Sequence, residues 1–432
     1  MTASVLRRPV RSLWLPALLF AALALAPGIS PASAGDEQNW QNDGAWRDDG
    51  NSWWRDDNGP GHESRRGEVG AAYSETNSSP NALIVYDRFA NGQLKERERV
   101  LTGGSGGHRP EPGCPGACPI LDTQGEVVLS KNGKLVFAVN AGSDQISSFR
   151  ETNRGLKLVD VEGSNGLFPN SLTVHGNVLY VLNSESSTIA GFRFSSSGEI
   201  WPIPNSVRPL SSESPDGLKP RQIGFDNTGR VLAVSLLIPS SIDTFLVDRD
   251  GRPGNATAHT SHKPLPFGFE FDPRNHLVMS QVTAPPELAQ DGTTATYDVN
   301  TRTGNVTFID EKTSGGVAPC WVVVTNDGRF SFVVNAGGGP PATIARYGLA
   351  PSGVLTLLGL TPPNGPEFAR TDESLSRDSR FLYVLNPGIA SPPSATPTSK
   401  IDEYRVESNG YLTLIGNTTP TPDLGQSGLI AR

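Results

Sequence analysis

Cysteine, methionine and histidine are all scarce in this chain: three, two and six residues among 432. Three thiols cannot build the disulfide framework on which small secreted scaffolds depend. No two histidines stand at metal-ligand spacing. His175 and His276 fall where hairpin turns are expected, and His259 and His262 sit in a Thr/Ser-rich stretch. The sequence therefore points to no metal and no cofactor. Positive charge is short as well, with 36 Lys+Arg against 44 Asp+Glu and a net charge of −8. That balance lacks the basic footprint of a nucleic-acid binder. Beyond the leader, no apolar run approaches the ~20 residues of a spanning helix, and no long stretch has helical periodicity.

The first residues read as an export signal. Arg7, Arg8 and Arg11 precede a nearly unbroken apolar run from Leu13 to Leu25, and Ala32-Ser33-Ala34 has the small-x-small form of a cleavage site. A signal peptide over 1–34, cut near Ala34, places the mature chain outside the cytoplasm, secreted or periplasmic. Residues 35–68 repeat tryptophan followed by Arg-Asp-Asp (Trp46 to Asp49, Trp54 to Asp57) with almost no aliphatic residue. Such a stretch cannot bury enough apolar surface to offset its ordering entropy, so disorder is expected there.

What is abundant is glycine (47) and proline (36), together with a repeated phrase. An apolar strand ends in Asn or Ser, a turn follows, and a second strand ends in an aromatic. Leu135 to Asn140 leads to Phe149, Val178 to Asn183 to Phe192, Phe330 to Asn335 to Tyr347, and Phe381 to Asn386 to Tyr404. Weaker copies place Tyr86, Phe245 and Tyr297 in register with these aromatics. Seven copies at this period predict an all-β, seven-bladed β-propeller of four-stranded blades over residues 69–432. The recurring Asn is expected to cap the turn after its strand. Nothing before Ala71 resembles an inner strand, whereas Gly428 to Arg432 does, so the C-terminal strand should close the first blade.

The phrases Tyr180-Val181-Leu182-Asn183 and Tyr383-Val384-Leu385-Asn386 resemble the lactonase family of seven-bladed propellers, which includes 6-phosphogluconolactonase-like and carboxymuconate cyclase-like enzymes. The resemblance implies hydrolysis of a small lactone by basic and acidic side chains at inner-strand starts, often after proline. Here those positions hold Pro169-Asn170, Pro220-Arg221, Pro266-Phe267, Pro319-Cys320 and Arg370-Thr371, with no Pro-His pair.

Lactone opening needs a base for water and a cation or donor for the oxyanion. Among the inner-strand starts, Asp372 or Glu373 suits the base and Arg221 the electrophilic partner. Glu126, Asn170, Gln222 and Trp321 suit ligand binding. The alternative is a non-catalytic extracellular propeller that binds a glycan, a cell-envelope component or a protein. Cys114 and Cys118 are expected to pair locally, and Cys320 to be a small buried residue. Gly103 to Gly107 matches a nucleophile elbow in letters only; a flexible loop is expected there.

Overall fold

Alternation of apolar and polar residues, broken by Gly-containing turns, drives the chain into short antiparallel strands. In the computed structural model these form seven sheets, six of them hydrogen-bonded in chain order from an inner to an outer strand. The structure describes residues 67–107, 121–211, 219–282, 292–336, 342–364, 370–387, 399–420 and 425–432. The leader, the Trp-rich segment through residue 66 and the Cys114–Cys118 pair lie outside the described residues.

Blades 2 to 7 have inner strands Val127–Leu129, Pro169–His175, Pro220–Phe225, Pro266–Phe271, Pro319–Val324 and Glu373–Leu375. Proline can open four of them because a first strand position need not donate a ladder hydrogen bond. In blade 3 the outer strand is split into Ile200–Pro202 and Arg208–Pro209, both paired with Thr188–Phe194. All seven aromatic anchors lie on third strands and are at most 2% exposed. They fill the apolar layers packed between sheets.

Blade 1 is built from both ends of the propeller sequence. Its inner strand is Ser427–Ala431, paired antiparallel with Glu68–Glu75, followed by Ala82–Phe89 and Leu94–Leu101. Closure is pinned by Arg88 Nε donating to the Arg432 carbonyl at 2.7 Å. The close fit excludes a side chain at Gly70, where a Cβ would stand 2.1 Å from that carbonyl oxygen.

The inner strands would leave channel-facing N–H groups unpaired, since each has a sheet neighbour on one side only. Side chains from the preceding blade supply the acceptors. Ile223 and Phe225 donate to Ser171 Oγ and Thr173 Oγ1 at 3.1 and 3.0 Å. Phe269 donates to Gln222 Oε1 at 2.7 Å, and Val324 to Glu270 Oε2 at 2.6 Å. Leu429 and Ala431 donate to Asp372 Oδ2 and Ser374 Oγ at 2.6 and 3.0 Å. The result is a hydrogen-bonded belt along the channel wall from blade 3 to blade 6, and again from blade 7 to blade 1. Blade 6 breaks it: its inner strand Pro-Cys-Trp-Val-Val-Val carries no polar acceptor, and among the described residues no such bond joins it to the inner strand of blade 7.

The recurring Asn bonds the strand after its turn in two blades, Asn140 Nδ2 donating to Ser147 Oγ at 2.7 Å and Asn335 Nδ2 to Thr343 Oγ1 at 2.9 Å, and it also bonds a neighbouring blade. Asn183 Nδ2 donates to the Ser164 carbonyl at 3.0 Å, and Asn335 Nδ2 to the Ser314 carbonyl at 3.4 Å. Asn140 Oδ1 accepts from Thr102 Oγ1 at 2.5 Å. In each case the amide reaches across the seam to the segment leaving the previous blade. A glycine makes room there: a Cβ on Gly104, Gly166 or Gly316 would fall 2.3–2.6 Å from the Asn side chain. The Gly103 to Gly107 stretch is likewise anchored rather than loose. Gly106 N donates to the Ser78 carbonyl at 2.7 Å and Gly107 N to Asn77 Oδ1 at 2.6 Å.

Candidate functional site

The entry face, where inner strands begin, gathers all seven residues singled out from the sequence. Each is less than 10% exposed. What divides them is the segment 121–126, which carries Glu126 itself, leads into blade 2 and runs across the channel to blade 6. Gln124 spans the gap, with Nε2 donating to the Val322 carbonyl at 2.8 Å and Oε1 accepting from Val322 N at 3.0 Å. Trp321 Nε1 donates to the Thr123 carbonyl at 2.6 Å. Gly268 must lack a side chain beneath it, because a Cβ would stand 2.4 Å from Gln124 Oε1.

This chord separates blades 3 to 5 from blades 7 and 1, and with them two groups of polar residues. On one side Arg221 Nη1 pairs with Asp122 Oδ2 at 2.9 Å and donates to the Asp122 carbonyl at 2.8 Å. The Arg221 guanidinium lies 5.2 Å from the Phe267 ring centroid, and Phe267 meets Trp321 edge-on at 5.3 Å. Cys320 is a buried free thiol beside them, its pKa pushed up by burial. Asn170 Nδ2 donates to the Pro220 carbonyl at 3.0 Å, and Gln222 is spent on the belt.

On the other side four carboxyls are buried: Glu75, Glu126, Asp372 and Glu373. Burial raises the pKa of every one, and neighbouring carboxylates raise those of Glu75, Asp372 and Glu373 further. Asp372 is committed to structure, with Oδ1 accepting from Glu373 N at 2.8 Å and Oδ2 holding the closing strand. Its φ of +56° turns the chain so that both bonds form. Glu126 Oε1 accepts from Thr123 Oγ1 and Ser427 Oγ at 2.8 and 3.0 Å, while Oε2 has no partner among the described residues.

Glu373 differs from these. Among the described residues neither of its oxygens has a hydrogen bond of normal geometry, although the residue is 2% exposed. The backbone N–H of Val334 offsets only part of the rise in its pKa. Near it stands Arg370, fully buried, whose positive charge acts against the rise. Arg370 Nη2 donates to Asp402 Oδ2 at 3.1 Å and to Tyr404 Oη at 3.0 Å, but Nε and Nη1 have no partner among the described residues. The sequence placed Arg370 at an inner-strand start without giving it a role. Asp122 and Gln124 were not legible at all, because their positions depend on a crossing that no local pattern encodes.

Beneath the chord the channel widens into a cavity of about 670 Å³, which reaches down past Glu270 to the hairpin turns of the exit face. Burial raises the Glu270 pKa to about 7. Among the described residues, no group of three or more His, Cys, Asp and Glu side chains is placed to hold a metal ion. No helix there is long and apolar enough to cross a membrane.

Residues 56–208, which carry blades 2 and 3 and all of blade 1 but its inner strand, match the family model described as "Lactonase, 7-bladed beta-propeller". No curated protein matches the chain. Among solved structures, a proposed 6-phosphogluconolactonase of Bacteroides uniformis is 15% identical with a TM-score of 0.64, covering 84% of this chain and 99% of that one. The periplasmic gluconolactonase of Pseudomonas aeruginosa is also 15% identical, with a TM-score of 0.62 and coverage of 84% and 98%. A hypothetical selenium-binding protein of Sulfolobus tokodaii, 11% identical, aligns at a TM-score of 0.58 over 85% and 94%. The chain is thus a seven-bladed β-propeller that shares its fold with gluconolactonase-type propellers and matches the lactonase family model over residues 56–208.

Proposed function

We propose that this protein hydrolyses a small lactone or related cyclic ester with protein side chains alone, at the entry face near blade 7. One observation carries the reading: a buried carboxylate and a buried guanidinium, Glu373 and Arg370, lie close together with unused hydrogen-bonding capacity. Buried polar groups are nearly always satisfied, and exceptions cluster where chemistry is done. Glu373 serves better than Asp372 as the base, since both Asp372 oxygens already hold backbone N–H groups.

In this scheme Glu373 in its ionised form, which its raised pKa restricts to higher pH, accepts a proton from water as the oxygen of that water adds to the lactone carbonyl carbon. Free N–H groups of Arg370 receive the developing oxyanion. The ring C–O bond then breaks, and the Glu373 carboxyl returns the proton to the departing alkoxide, leaving a hydroxy acid. Arg221, held by Asp122 against Phe267 and Trp321, lies across the chord from Glu373 and takes no part in this scheme. Export, supported by the form of residues 1–34 and by the periplasmic location of a protein of like fold, disfavours a phosphorylated cytosolic substrate.

The test is turnover of a panel of phosphorylated and unphosphorylated lactones, followed by proton release and corrected for spontaneous opening, with and without EDTA. Turnover that resists EDTA and is lost in Glu373→Gln and Arg370→Met supports the scheme. Turnover undiminished in Glu373→Gln moves the base elsewhere. The second reading, a binding propeller for a glycan or envelope component, draws on the burial of all seven candidate residues. It becomes the working model if no lactone is opened.

A further inference from the structure

A second cavity lies on the exit face, at the opposite end of the blades from the candidate site and independent of the lactone reading. It holds about 650 Å³ between the lower ends of blades 3 and 4. Five of its lining side chains are basic or imidazole: His175, Arg193, Arg230, Arg249 and Arg302. They come from separate connections: the inner hairpins of blades 3 and 4, the third strand of blade 3, and the outer hairpins of blades 4 and 5.

In a chain of net charge −8, carboxylates are in excess, and yet this groove has gathered cations. Asp248 is the one acid among the lining residues, and its Oδ1 accepts from the backbone N–H groups of Asp250 and Arg252, both at 2.8 Å. Arg193 is held in place through Asn177 Oδ1 and the Asp250 carbonyl, both at 3.1 Å. Among the described residues, the guanidinium groups of Arg230, Arg249 and Arg302 have neither an ion pair nor a hydrogen bond. Like charges brought together in a concave wall repel one another and focus a positive field, an arrangement that anion binding relieves.

The groove also has fixed walls. The His175 ring packs 5.7 Å from Phe225 and lies over Gly229, where a Cβ would meet Nδ1 at 2.2 Å. Guanidinium forks match the planar oxygens of phosphate, sulfate and carboxylate groups bidentately. One such group would engage one or two of these side chains; their spread over three blades asks for several. We infer that this groove binds a multivalent oxyanion, a small molecule carrying two or more phosphate, sulfate or carboxylate groups.

Calorimetric titration of the purified protein with inorganic triphosphate, citrate and acetate, at low and at higher salt, tests the inference. Triphosphate or citrate should bind at one site per chain and weaken with salt, while acetate shows no saturable heat. The triple variant R230Q/R249Q/R302Q should lose about tenfold or more in affinity, as expected when charge-assisted hydrogen bonds are removed. A charge-matched control, K134Q/R154Q/K157Q on blade 2, should retain it. Should the triple variant misfold, the single variants R230Q and R302Q must each weaken binding. The preference between triphosphate and citrate tells phosphate esters from polycarboxylates. Absence of binding by either probe, retention in the triple variant, or equal loss in the control overturns the site.

Discussion

Glu270 shows how one side chain serves two purposes. Its Oε2 accepts the channel-facing N–H of Val324 at 2.6 Å, closing one link of the belt, while burial in the channel wall holds its pKa near 7. A folded-state pKa above the ordinary carboxyl value means that the native state binds this proton more tightly than the unfolded chain. The associated stability is full below the unfolded pKa and is lost as pH rises toward 7. Glu270→Gln keeps an acceptor for Val324 and has no proton to release. It should therefore match the wild type near pH 5 and exceed it at pH 8, by about 1–2 kcal/mol once channel water is allowed for. Parallel melting profiles of the two proteins across that range would show that Glu270 does not titrate as described.

At the scale of the strand, the closing element Ser427–Ala431 does more than its length suggests. It pairs with Glu68–Glu75, takes up Asp372 and Ser374, and places Ser427 on Glu126. Deleting residues 427–432 removes these bonds and leaves the edge of Glu68–Glu75 open to pairing with another chain. The loss should be on the order of 4 kcal/mol or more, read as a lowered melting temperature with self-association in size-exclusion chromatography. An unchanged melting temperature would mean that the ring does not rely on this strand. The closure itself was legible in the sequence, since Gly428 to Arg432 has the form of an inner strand with no successor. So were the third-strand aromatics, because a blade that repeats its packing must repeat its large side chains. The candidate site was legible only as positions. Asp372 and Gln222 read as site residues because they are polar at inner-strand starts, but the same polarity builds the belt. The recurring Asn misled in part, its amide turning sideways to a neighbouring blade as well as, in two blades, to the strand after its own turn.

Across the whole molecule six buried carboxyls act in one direction. Glu75, Glu126, Asp243, Asp372, Glu373 and Glu403 all have pKa values raised chiefly by burial, as Glu270 does. Each favours the protonated folded state, so their sum opposes ionisation above the ordinary carboxyl range. Chemical denaturation should thus show greater stability near pH 5 than near pH 8, and a profile rising over that interval would contradict the assignment. The ring that these groups line is joined by partners far apart in sequence, Tyr73 and Arg432 being 359 residues apart. Compared with a hairpin of a dozen residues, that is roughly five doublings of loop length, or about 3 kcal/mol of closure entropy. Contacts of such separation form late in folding, and contacts absent from the transition state govern the rate of unfolding. The lifetime of the folded protein, as distinct from its equilibrium stability, is therefore expected to follow how often a five-residue strand lets go.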